Sequence, residues 1–209
     1  MFATLKMTSL KMRAGAPKVV AMFYEVILDS GETANKCTIA PLSYRSDFHL
    51  FRVKGAGAFG PFRSSILLHH EGECLTRIRK SFGEVQGIAS IDCVWRRLDV
   101  LISRVAGKLP TLARIPDGFV TAYPRHSARN TDPTAGLATI EAIFVASAML
   151  GNWDATLFSE YYFGRKFLEL NQRRFLELDV HQAADQDAFP ELPQRPRHSL
   201  QRRRDRGKY

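Results

Sequence analysis

Apolar positions in the first half of this chain come in short, dense runs separated by polar or glycine-bearing stretches, and helical spacing dominates only later. Residues 19–28 (VVAMFYEVIL) are almost continuously apolar and rich in β-formers, which predicts a buried strand, with residues 29–35 as the loop that follows. Residues 48–53 alternate apolar and polar, and 64–69 (SSILLH) form a short apolar run, so both are read as strands. A further run at 88–91 ends at Asp92. Apolar positions at Trp95, Leu98, Leu101, Ile102 and Val105 recur at helical spacing and predict a helix over 95–106. Residues 109–115 suit a short strand. Residues 118–136 carry Pro124, Asn130, Pro133 and Gly136 and predict a long loop, a feature that in compact domains usually serves function or is disordered.

The strongest helical segment is 139–150. Thr139 suits its N-cap, Glu141 sits in its first turn, and the rest is apolar on nearly all sides, as in a deeply buried helix. Residues 153–170 read as one or two helices with a break at Gly164. Strands alternating with helices predict an α/β domain with a mostly parallel sheet.

Charge changes the picture at the C-terminus. The 209 residues carry a net charge of +9, and residues 195–209 hold seven Lys and Arg against one Asp, so six of the nine net charges lie there. A polyanionic partner, nucleic acid, is the natural inference. No window approaches the roughly 18 uncharged apolar residues of a membrane span, and residues 1–18 lack the apolar core of a signal peptide. Cys37, Cys74 and Cys93 form no CxxC pair, which fits a reduced, cytoplasmic setting and indicates no zinc site.

Four constellations bear on chemistry. Gly55-Ala-Gly57-Ala-Phe-Gly60 spells GxGxxG, but that fingerprint needs a helix directly after it, and Pro61-Phe-Arg-Ser-Ser leads into ILL instead; a glycine loop is expected. His69-His70-Glu71 has the residue types of a metal site. Adjacent side chains on a strand point to opposite faces, so a polar loop after a buried strand is expected, and no metal. Asp92 lies just past an apolar strand and before Trp95. Carboxyl ends of parallel strands gather ligand groups, yet a helix cap and a core aromatic read equally well. Residues 136–142 (GLATIEA) join the long loop to the buried helix, where backbone N–H groups can hold a polar ligand group or simply start a capped helix.

These pieces stand in a telling order: Cys37-Thr38, IDCVW at 91–95, LPTL at 109–112, GLATIEA at 136–142 and FGRKFLELN at 163–171. The series resembles the small-subunit ribosomal RNA aminocarboxypropyltransferases, which read CTG, LDCSW, LPxL, KLSTAEA and WGxxFLELN. ILLHHEGE at 66–73 and the Asp-x-x-Trp element also resemble the related DTW-domain family, which modifies tRNA uridines and whose usual N-terminal cysteines are missing here. The chain departs from the ribosomal pattern at Ile39 (glycine in the family), Phe163 (tryptophan) and Ala138 (serine), and its stretch between Leu112 and Leu137 is longer.

The resemblance implies a SPOUT-like α/β fold, a parallel sheet with a C-terminal trefoil knot. From their composition, residues 1–18 read as weakly ordered and 181–209 as a disordered basic tail; the resemblance implies a domain over 19–180 whose cofactor-binding, knotted part starts near residue 86. It implies S-adenosylmethionine as cofactor, with Ile91, Leu112, Leu137, Ala138 and Ala142 around the adenosine, Trp95 supporting it, and Thr38 on the carboxylate of the transferred chain. The implied reaction moves the 3-amino-3-carboxypropyl group to N3 of a uridine or pseudouridine, with Asp92 accepting or orienting the proton. Structured RNA is the implied partner: rRNA or a pre-ribosomal particle, with tRNA as the alternative. Arg96, Arg97, Arg125, Arg129, Arg202, Arg203 and Arg204 would grip it. A monomer is expected. A non-catalytic ribosome-assembly factor is the reading from another class.

Overall fold

The computed structural model describes residues 22–29, 37–53, 55–81, 87–124 and 136–185. Expectations for residues 1–18, for Arg125, Arg129, Arg202, Arg203 and Arg204, and for most of the C-terminal tail lie outside the described residues. Five strands form one sheet: β1 (Tyr24–Leu28), β2 (Phe48–Arg52), β3 (Ile66–Cys74), β4 (Ile88–Asp92) and β5 (Thr111–Arg114). Their order is β2-β1-β4-β3-β5 and every pairing is parallel. The α/β expectation holds at this level. Among the described residues no helix is long and apolar enough to cross a membrane.

Strand alternation sorts the core onto two faces. Tyr24, Val26, Leu28, Phe48, Ile66, Ile88 and Ala113 belong to a first apolar cluster, while Ile27, Val53, Leu67, Ala89 and Ile91 belong to a second. The helices α1 (Leu75–Ser81), α3 (Thr139–Met149) and α4 (Gly164–Glu177) cover the first face. The five-residue α2 (Leu98–Ile102) covers the second, together with Phe59 and Phe62 from the β2–β3 connection.

Several elements differ from expectation, each for a local reason. The helix read over 95–106 is a 3-10 turn (Trp95–Arg97) and the short α2, because the chain leaves helical geometry to bridge Val105 to Phe59. In α3 the N-cap is Ala138, with Thr139 the first helical residue. Its end is set by Gly151 at φ +93°, a left-handed position that glycine takes without strain. Gly164 opens α4, which runs on to Glu177, past the expected end at 170. Residues 181–184, expected in the disordered tail, form a 3-10 turn against α4, where Gln172 donates to the Ala183 carbonyl at 2.9 Å.

The polar segment after His69 is a strand and not a loop. β3 continues to Cys74, with its register against β5 shifting between Leu68 and Glu73. Residues 69–72 are thereby bulged, as happens where a sheet re-aims side chains near a site. Gly72 lets the bulge close on β5: a Cβ there would meet Leu112 and Ala113 backbone atoms at 2.5 Å.

Candidate active site at the carboxyl edge of the sheet

Connections after β1 and β3 leave over the first face, through Leu42 and through α1, while the connection after β4 leaves over the second, through α2. Neighbouring strands whose connections part to opposite faces open a crevice at their carboxyl ends, the usual ligand position in open parallel sheets. β4 has such a neighbour on both sides. Its last residue, Asp92, therefore stands where a ligand is expected.

Asp92 is tied into its surroundings through both carboxylate oxygens. The Cys37 thiol donates to Oδ2 at 2.8 Å and the Thr139 hydroxyl donates to Oδ1 at 2.6 Å. Cys37 also accepts the Ala40 N–H at 3.2 Å, and Thr38 Oγ1 accepts the Ile140 N–H at 3.4 Å. Burial, reinforced by the Asp92 charge, pushes the Cys37 thiol up to about 12, so it stays protonated and acts as a donor rather than a nucleophile. Three segments far apart in sequence thus meet: the loop after β1, the end of β4 and the start of α3.

Asp29, just past β1, is the second carboxylate of this edge. It is 4% exposed, its N–H donates to the Asp92 carbonyl at 3.1 Å, and its Oδ2 pairs with Arg97 at 2.8 Å, while Oδ1 is buried without a partner. Arg97 pairs with Asp29 and stays partly exposed; Arg96 beside it is exposed.

The expected pocket residues divide. Ile91, Trp95 and Leu112 pack together in the second cluster, whereas Leu137 packs against the first. Ala138 is buried at the α3 N-cap and Ala142 is half-buried one turn on. Thr38 joins them through Ile140. His70 lies edge-on to Trp95, ring centroids 5.3 Å apart, and 4.4 Å from the His69 ring. The bulge therefore places the two imidazoles side by side and not on opposite faces. The glycine loop at 55–60 is followed by extended chain and is held by Arg104, which donates to the Gly55 and Gly57 carbonyls.

Two residues of the matched segments shape the site from behind. Glu141, fully buried, accepts four hydrogen bonds: Thr121 Oγ1 at 2.6 Å, Ala138 N–H at 2.8 Å, Ala122 N–H at 2.9 Å and Tyr161 OH at 2.9 Å. Asn171 accepts from the Val120 N–H at 2.7 Å and donates to the Val120 and Phe167 carbonyls at 2.8 Å each. Together they pin residues 120–122 to the starts and flanks of α3 and α4.

No family model matches the chain, and no curated protein matches it. Among solved structures it is similar to the SAM-dependent rRNA:acp-transferase Tsr3 from Vulcanisaeta distributa, at 23% identity over 80% of this chain and 86% of that one, with a TM-score of 0.53. The two chains share a fold. The likeness spans most of both proteins.

Proposed function

We propose that the protein transfers the 3-amino-3-carboxypropyl group of S-adenosylmethionine to N3 of a uridine or pseudouridine in RNA, rRNA foremost. The observation that carries this reading is the Asp92 junction, which unites three segments that resemble the aminocarboxypropyltransferases. The fold shared with an rRNA aminocarboxypropyltransferase supports it, as does the basic charge of the chain.

The residues fit the cofactor by type. Ile91, Leu112, Leu137, Ala138 and Ala142 offer small or apolar surface for an adenosine, and Trp95 an aromatic wall beside Ile91 and Leu112. Thr38 accepts from Ile140 through its oxygen and keeps its O–H to donate to a carboxylate. When bound, S-adenosylmethionine supplies a sulfonium that activates the γ-carbon of its amino-acid chain, with methylthioadenosine as the leaving group. Selectivity over methyl transfer is then positional, since the attacked atom must sit about 3–3.5 Å from the nucleophile. Asp92 holds the loops that set this position and is the proposed acceptor of the N3 proton. Arg96, Arg97 and the basic residues 125, 129 and 202–204 are assigned to RNA. A knotted passage of the chain beyond residue 86 belongs to the same proposal.

Product analysis with RNA and S-adenosylmethionine tests the reading. Methylthioadenosine is expected; S-adenosylhomocysteine would make the protein a methyltransferase, and neither product with intact RNA binding would make it a non-catalytic assembly factor. Acceptor RNAs from rRNA and tRNA separate the two substrate classes.

A further inference from the structure

His69 is 7% exposed, and the hydrogen bond it makes fixes its tautomer. Its Nδ1 accepts the Glu71 backbone N–H at 3.2 Å, so in the neutral ring the proton is on Nε2. That Nε2 is buried and has no partner. A buried donor left unpaired costs free energy, which makes it a candidate for a ligand acceptor. A metal is not that ligand. The ligand atoms of His69, His70 and Glu71 do lie within 4.8 Å of one another. But a ligating imidazole normally donates its other N–H to an acceptor, and here that nitrogen is itself the acceptor.

The place of His69 narrows the ligand further. The β3 bulge puts it at the carboxyl edge beside β4, on the side of Trp95. The exposed His70 ring adjoins both, at 4.4 Å from His69 and 5.3 Å from Trp95. A flat group that displaced His70 would stack on the indole while offering its edge to Nε2–H. An unpaired nucleobase has that shape, and every base that carries an imide nitrogen has a carbonyl next to it.

We propose that the Nε2–H of His69 grips a carbonyl oxygen of the acceptor base, adjacent to the nitrogen that is alkylated. This rests on the transfer reading above and adds a residue to it. As the nitrogen loses its proton to Asp92 and bonds to carbon, with the carbon–sulfur bond breaking, negative charge spreads onto the flanking carbonyls. A fixed N–H donor at one of them stabilises that charge, as an oxyanion-hole donor does. Burial and the neighbouring His70 lower the His69 pKa, against smaller opposing effects of Glu71 and Asp99, so the ring is neutral and its donor stays in place.

The test compares His69→Phe and His69→Gln with wild type on a small-subunit rRNA transcript, reading methylthioadenosine release and, by calorimetry, S-adenosylmethionine affinity. Wild type that releases no methylthioadenosine defeats the functional reading itself, and this assignment with it. With wild type active, His69→Phe should lose roughly 10²–10³-fold in turnover with cofactor affinity unchanged. His69→Gln, whose amide N–H reaches near the Nε2 position, should stay within about tenfold of wild type. The rate of His69→Phe should also keep climbing at alkaline pH beyond the point where wild type levels off, because the bound base has become harder to deprotonate. Wild-type turnover in His69→Phe, equal losses in both variants, or an unmoved pH profile would each overturn the proposal.

Discussion

Where α3, α4 and residues 120–122 meet, the fully buried Glu141 carboxylate accepts four hydrogen bonds; at the carboxyl edge, Asp29 and His69 are almost as buried and each keeps one polar atom without a partner. A single strand shows the same contrast. Glu25 and Asp29 lie four residues apart, and Glu25 accepts from Arg63 N–H, Ser64 N–H and Ser64 Oγ at 2.7–2.8 Å. Saturated carboxylates are what a fold needs to tolerate charge in its interior. Unsaturated ones at a strand's carboxyl end are what a ligand needs to find. The comparison sets Glu25 and Glu141 apart from Asp29 and His69, while Asp92, both of whose oxygens accept a hydrogen bond, stands between the two groups.

The largest effect expected from breaking it is at the scaffold. Glu141→Ala strands four donors in the core and should lower unfolding free energy by about 3–5 kcal/mol, read by urea denaturation. The two tryptophans should then split. Trp153 packs on Phe144 and Phe175 at 4.9 and 5.3 Å, so Trp153→Ala should cost about 3–5 kcal/mol in stability while folded protein keeps its cofactor affinity. Trp95→Ala should cost less stability and more S-adenosylmethionine affinity, measured calorimetrically; equal affinities would remove Trp95 from the site.

Cys37 sits between scaffold and site. Cys37→Ala leaves Asp92 Oδ2 without its donor and should cost about 1–3 kcal/mol, with Cys37→Ser recovering part of that. Because burial holds its pKa near 12, iodoacetamide should label Cys74 and Cys93 first, as peptide mass mapping would show. The smallest effect concerns His69. Its folded pKa lies below the ordinary 6.5, so the unfolded chain takes up the proton first. The contribution is full above about pH 6.5 and is lost as pH falls below that value. Chemical denaturation across pH 5–8 should show this slope, and His69→Gln should flatten it.

Much of the sheet was legible because its strands are apolar runs: every residue of β1 is buried. The far half of β3 was not, because its bulge is written in polar residues, and α1 follows Cys74 without a spacer, with Leu75 and Ile78 turned inward. Asp92 could be picked out by its place at a strand's end. Its partners could not, since Cys37 and Thr139 are 55 and 47 residues away and only the fold brings them together. The same strand-end rule applied to β1 would have found Asp29. The donor on His69 had no sequence signal, because it depends on which backbone N–H reaches Nδ1.

The position of β1 governs how the molecule comes to be. Tyr24 pairs with Phe48 on one side and Ile88 on the other, and its hydroxyl meets Ser147, 123 residues along the chain. A strand that leaves the ribosome before its partners must therefore wait for them, and pairings so distant in sequence close slowly. The Asp92 junction needs the loop after β1, the end of β4 and the start of α3 at once. The junction, and the transfer activity proposed for it, should accordingly appear only with the last refolding phase, however early the helices form.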